Sequence, residues 1–218
     1  MPGVTVSAGF GAGGSVVAPL VAERLGVQLL DRAISAAVAS QLKVSVAEAE
    51  TGSANRSFVE RLLSFMSPLA TDALGTAADI DTVNSLRDTD AAISFREEAE
   101  RIMKAAFVDG AVVLGRAGAA AFRKSPDVLR VRLFGPVEAR MKQAARLSGI
   151  DSEEISAKFQ REVDGARDQY VRRLYKVSVD DPALFHLQLD STVLPLSACA
   201  DLIVEAYRAF RARSATEA

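Results

Sequence analysis

Val4-Thr5-Val6-Ser7-Ala8-Gly9-Phe10-Gly11-Ala12-Gly13-Gly14-Ser15 is the stretch that decides how this chain is read. Its β-branched start predicts a strand, and four glycines in six residues predict a tight turn. Val16 to Leu25 follows with helical spacing, so the unit is strand, loop, helix. Glycine lets the backbone take positive φ and lets a ligand approach the main chain, at a cost of roughly 0.5–1 kcal/mol of entropy each. Successive N–H groups and a helix N-terminus then converge on one point, which suits a phosphate.

Two templates compete for this loop. A P-loop reads G-x-x-x-x-G-K-S/T. One register puts Ala8 and Gly13 at the glycines, Gly14 at the lysine and Ser15 at the hydroxyl. The other uses Gly9 and Gly14, with Ser15 at the lysine and Val16 at the hydroxyl. Neither holds a lysine; the first keeps a hydroxyl for Mg²⁺ and is preferred. Gly9-x-Gly11-x-x-Gly14 also fits the dinucleotide fingerprint, with Asp31 near the position of its ribose-binding acid. The loop alone leaves a nucleotide kinase and an NAD-binding oxidoreductase both open.

Bulk composition narrows the classes. The 218 residues fit one domain, or one with an inserted lobe, and 49% hydrophobic with 25% charged residues is ordinary for a soluble chain. A net charge of −2 argues against nucleic acid as a partner. No apolar run approaches the ~20 residues that cross a membrane, and the N-terminus lacks the basic and apolar stretches of a secretory leader. A cytoplasmic location without membrane contact is expected. Cys199 is the only cysteine, which rules out an internal disulfide, and it reads as a small apolar residue of the last helix. His186 is the only histidine, which rules out a multi-histidine metal site.

Along the chain, strands are expected at 4–7, 27–30, 111–114, 128–134 and 184–189, alternating with helices. Ala111-Val112-Val113-Leu114 is a continuous apolar run, the look of a strand buried on both faces of a parallel sheet. The fold expected is α/β: a five-stranded parallel sheet of P-loop type with helices on both faces. Pro19 is placed early in the first helix, where a missing N–H costs little. Asp31 emerges beyond the second strand on the ligand rim, or caps the next helix. Residues 33–67 read as helices, and 67–92 as a mobile loop or short helices. The apolar stretches 33–39 and Leu62 to Leu69 suit either core or a homodimer interface. Ser94 to Phe107 is a strong amphipathic helix, and Arg116 sits at the end of the third strand, where a cation suits an anion site. Residues 156–175 read as a charged helix on which Arg161, Asp164 and Arg167 share a face. Leu196 to Arg211 is the closing helix, with the tail from Arg213 frayed.

Val112-Val113-Leu114-Gly115-Arg116, followed by Ser125-Pro126-Asp127-Val128 and Phe134-Gly135-Pro136-Val137-Glu138-Ala139-Arg140, resembles bacterial cytidylate kinases. Asp164-x-x-Arg167 and Leu189-Asp190-Ser191-Thr192 resemble their lid and closing turn. Phe10-Gly11-Ala12-Gly13-Gly14, with glycine for lysine, is similar to the divergent cytidylate kinase-like proteins. The resemblance implies a kinase-like domain with its core in 1–32, 108–147 and 182–212, a helical acceptor-binding insertion at 33–107 and a lid at 148–181. It implies ATP and Mg²⁺ as cofactors and small-molecule nucleotides as partners. Gly11, Ala12, Gly13, Gly14, Ser15 and Val16 would hold the ATP phosphates, with Ser15 near Mg²⁺. Asp31, Arg96 and Arg116 would bind the acceptor. Arg140, Arg161, Asp164 and Arg167 would act in catalysis, Arg161 standing one residue out of register with a family arginine. Where those kinases carry an Asp after Gly-Arg, this chain has Ala117, which weakens the case for cytosine selectivity. The absent lysine requires an arginine such as Arg140, Arg167 or Arg172 to supply its charge, or a protein that binds nucleotide with little turnover.

Overall fold

The computed structural model describes residues 3–31, 90–115, 117–148, 160–161, 164–165, 168, 171–172 and 174–216. Five strands form one parallel sheet: β1 (Gly3–Ala8), β2 (Gln28–Asp31), β3 (Ala111–Leu114), β4 (Val128–Phe134) and β5 (Leu187–Asp190). Helices α1 (Gly14–Leu25), α2 (Asp90–Val108), α3 (Gly118–Ala121), α4 (Val137–Ser148) and α5 (Leu196–Thr216) accompany them. The described residues between 160 and 175 are also helical.

The sheet order is β2-β3-β1-β4-β5. Val4 lies opposite Val112 on one side and Leu129 on the other, so β1 is central. Its C-terminal end therefore opens in the middle of the edge where open α/β sheets bind ligands. This order also removes the dinucleotide alternative. That fold places its second strand beside the first, whereas here β3 stands between β1 and β2.

Strands buried on both faces explain the unbroken apolar runs. On one face α1 and α5 cover the sheet, with Val17, Ala18 and Val21 meeting Cys199, Ala200 and Ile203. On the other, Met103 and Phe107 of α2 pack with Val113 and Phe122. The Phe107 and Phe122 rings meet edge to face at 4.9 Å. Burial of a side chain such as Phe107, fully enclosed here, contributes about 1.5–3 kcal/mol. A third cluster joins Ala119 and Ala120 of α3 to Val171, Tyr175, Leu184 and Phe185. It holds Val171 and Tyr175 against α3 and the segment at Leu184 and Phe185.

Several boundaries differ from expectation. β2 runs through Asp31, which pairs with Leu114 and so ends the strand instead of following it. β5 begins at Leu187, not 184, because Pro182–Leu184 form a 3₁₀ turn capped by the Asp181 carboxylate. Pro19 is the sixth residue of α1, past the turn in which a missing N–H costs nothing. α2 begins at Asp90, earlier than Ser94. α5 continues through Thr216, so Arg213 is helical and not frayed. The helices expected across 33–67 and most of 67–92 lie outside the described residues. No helix among the described residues is long and apolar enough to cross a membrane.

Candidate phosphate-loop site

β1 ends at Ala8, and the Gly9 N–H donates to the Leu133 carbonyl (3.3 Å), carrying the pairing with β4 one residue further. The Ala12 N–H then closes a turn onto the Gly9 carbonyl (3.0 Å). Gly11, at φ +76°, reverses the chain, and α1 starts at Gly14 with its Val16 and Val17 N–H groups donating to the Gly13 carbonyl. Gly11 can hold no side chain: a Cβ there would lie 2.2 Å from the Arg140 carbonyl oxygen.

Three successive loop carbonyls are held from outside. Arg140 Nη1 donates to the Phe10 carbonyl (2.7 Å), Gln143 Nε2 to Gly11 (3.0 Å) and Ser191 Oγ to Ala12 (2.8 Å). Arg140 and Gln143 are one turn apart on α4, and Ser191 follows β5. With these carbonyls held, no acceptor among the described residues takes the N–H groups of Gly11, Gly13, Gly14 or Ser15. Backbone donors without acceptors at a helix N-terminus suit an anion. The Ser15 side chain is exposed in the first turn of α1.

The first register of the loop explains the absent lysine. Gly14 occupies the lysine position, and a Cβ on it would stand 2.6 Å from the Ala8 Cβ and 3.2 Å from Leu114 Cδ1. Ala8 in turn occupies a glycine position of the P-loop pattern. The methyl missing from one position has been added at the other, so a lysine is excluded by space as well as by sequence.

Arg140 is mostly buried, its side chain 10% exposed, and sits beside Gly9. Its Nε donates to the Gly135 carbonyl and its Nη1 to Asp164 Oδ2, each at 2.8 Å. The other Asp164 oxygen accepts the Phe10 N–H (2.8 Å). Gln160 Nε2 also donates to Asp164 Oδ2. Thus Asp164 and Arg140, both expected among the catalytic residues, meet on the loop itself.

Other expected residues are more distant or stand outside the described set. Arg161 is exposed on the same helix as Asp164, with no bond from its side chain to a described residue. Arg96 donates to the Leu174 carbonyl (3.3 Å) and lies 3.8 Å from Glu100, tying α2 to the 160–175 residues. Arg172 pairs with Asp168 and donates to Ser178 Oγ (2.7 Å), a local tie and not a loop contact. The Asp168 carboxylate holds the Arg172 guanidinium above its ordinary pKa. Arg116, Arg167 and the Asp31 side chain lie outside the described residues. Gln143, Gln160 and the loop-facing role of Ser191 were not expected. The one sequence signal for Gln143 is its spacing of three from Arg140, which puts both on one helix face.

A central parallel strand, a glycine loop after it and a helix starting on that loop define a P-loop kinase-like fold. The chain belongs to the cytidylate kinase-like family, whose model matches residues 3–193. Among solved structures it is similar to an uncharacterized protein from Eubacterium ventriosum ATCC 27560, at 15% identity and a TM-score of 0.61 over 95% of this chain and 98% of that one. That likeness is one of fold. A shikimate kinase from Acinetobacter baumannii in complex with shikimate aligns at 16% identity and a TM-score of 0.42, over 96% of this chain and 94% of that one. No curated protein matches the sequence.

Proposed function

We propose that the chain transfers the γ-phosphoryl group of ATP to a nucleoside monophosphate, a pyrimidine nucleotide of the CMP type. The observation that carries this reading is the glycine loop whose Phe10, Gly11 and Ala12 carbonyls are each held by a side chain from elsewhere, while the N–H groups of Gly11, Gly13, Gly14 and Ser15 meet no acceptor among the described residues. Family membership supports it. The residues fit the phosphates of a nucleotide. They do not fit the usual lysine.

Gly11, Ala12, Gly13, Gly14, Ser15 and Val16 would hold the donor phosphates through the backbone, and the Ser15 hydroxyl would meet Mg²⁺. Bound Mg-ATP supplies the phosphoryl group and a metal that neutralises its oxygens. The cation would be held through the nucleotide phosphates and one hydroxyl. Asp31, Arg96 and Arg116 would orient the acceptor. Arg140, Arg161, Asp164 and Arg167 would set the charge around the transferred group. Phosphoryl transfer needs little covalent chemistry, so positioning and fixed donors carry most of the rate.

The closed lysine position favours a second reading, a nucleotide-binding protein with little turnover. A coupled assay over the common nucleoside monophosphates with Mg-ATP separates the two. Turnover on CMP or UMP supports the kinase. Measurable ATP affinity with no turnover on any acceptor would replace it with the second reading.

A further inference from the structure

Asp164 occupies two donors at the glycine loop. Its Oδ1 accepts the N–H of Phe10, next to Gly11, whose own N–H meets no acceptor among the described residues, and its Oδ2 accepts Arg140 Nη1. A backbone N–H and a guanidinium side by side are the donors that bind phosphate oxygens. The lysine position cannot add a cation, because Ala8 fills its space. Arg140 is therefore the described cation closest to the loop, and its charge is cancelled by a carboxylate.

We propose that Asp164 is an internal competitor for the phosphate site, holding the Phe10 N–H and the Arg140 guanidinium until a phosphate oxygen takes them. The inference rests on the loop being a triphosphate site, as argued above. Asp164 is the partner placed to leave: its side chain is 26% exposed against 10% for Arg140, so its departure toward solvent uncovers the guanidinium. The paired state is also polar-frustrated. Gln160 turns its amide nitrogen to Asp164, and its Oε1 is left buried with no partner among the described residues, in a side chain 2% exposed. Release of Asp164 frees that amide to turn. The switch replaces a fixed lysine by a charge available only when an anion arrives to meet it. A neutral loop in the resting protein and a cationic one in the bound state follow from the same pair.

Calorimetric titration of the full chain with Mg-ATP, and separately with inorganic tripolyphosphate, tests this in the wild type, Asp164→Asn and Gln160→Ala. Asp164→Asn is expected to bind both probes at least tenfold more tightly, with far-UV dichroism unchanged. Gln160→Ala, which loosens the carboxylate without changing charge, is expected to tighten both about threefold. It carries the test if the Asn variant fails to fold. Unchanged or weaker binding by folded variants would make Asp164 a structural brace and overturn the proposal. A gain for Mg-ATP but not tripolyphosphate would place the effect at the nucleoside and overturn it equally. Binding of neither probe by any of the three proteins would remove the triphosphate reading itself.

Discussion

Two turns lie side by side at the C-terminal edge of the sheet, one after β1 and one after β3, strands paired at Val6 and Leu114. Both bend through left-handed backbone: Gly11 at φ +76° in the first, Gly115 at +73° and Ala117 at +53° in the second. Their surroundings differ. A Cβ on Gly11 would strike the Arg140 backbone at 2.2 Å, whereas one on Gly115 would meet nothing within 4 Å. The first loop is crowded by the elements packed on it, whereas the second, tied to β1 by the Gly115 N–H on the Val6 carbonyl (2.9 Å), has open space at Gly115. A loop clamped from outside holds its N–H groups in place before any ligand arrives, which is the preorganisation that phosphate binding rewards.

Gly11→Ala should break this contrast most visibly. The new methyl meets a carbonyl of α4 that cannot swing aside, and the residue keeps a strained φ. A loss of about 3 kcal/mol or more in unfolding free energy is expected, with loss of triphosphate binding. Urea denaturation and tripolyphosphate titration measure both. A stable variant that still binds would show that the clamp yields.

Gly14→Lys probes the same packing from the P-loop pattern. Alone it should cost about 1–3 kcal/mol, since its Cβ overlaps that of Ala8. Paired with Ala8→Gly, most of that cost should return, because the remaining close atom, Leu114 Cδ1, ends a flexible side chain. A double-mutant cycle on thermal stability reads the coupling. Additive effects would mean that the two positions do not share the space.

The contrast also marks what the sequence discloses. Glycines crowded into the loop are visible as composition, and β3 is visible as an apolar run because both its faces are covered. The clamps are not visible. Gln143 lies 132 residues from Gly11 and Ser191 lies 179 from Ala12, distances that no local pattern spans. The start of β5 misleads for a related reason. Leu184 and Phe185 are apolar because they bury into the cluster with Val171 and Tyr175, not because they are strand. Near the C-terminus, Ala212 and Arg213 are good helix formers, and the Arg213 guanidinium lies 6.0 Å from the Phe210 ring centre, so the helix outlasts its polar composition.

Ser191→Ala removes one clamp alone. The Ala12 carbonyl loses its hydroxyl donor, at about 1–2 kcal/mol, with a weaker triphosphate affinity. The same turn carries a titratable support. The Thr192 hydroxyl, with backbone N–H groups, holds the Asp190 carboxylate below its ordinary pKa. A depressed folded-state value means that this support is complete above the ordinary value of 3.8 and is lost as pH falls below it. Acid unfolding of Asp190→Asn should therefore lack that part of the wild-type loss of stability. Identical acid profiles would remove Asp190 from the bracing of the loop.

The second turn carries the smallest effect, at Ala117. Gly115→Ala adds a methyl into open space, so only the left-handed φ opposes it, at about 1–2 kcal/mol. Ala117→Gly should run the other way, relieving about 1 kcal/mol of backbone strain. Part of that is offset by the freer unfolded chain, about 0.4–1 kcal/mol, and by the methyl that packs beside Ala120 and Tyr175. A net change of a few tenths of a kcal/mol is expected, measured as a small shift in Tm. If Ala117→Gly instead lowered stability as far as Ser191→Ala, the methyl contacts would outweigh the strain. The turn after β3 would then be held from outside like the loop after β1, and the two would differ only in what they hold.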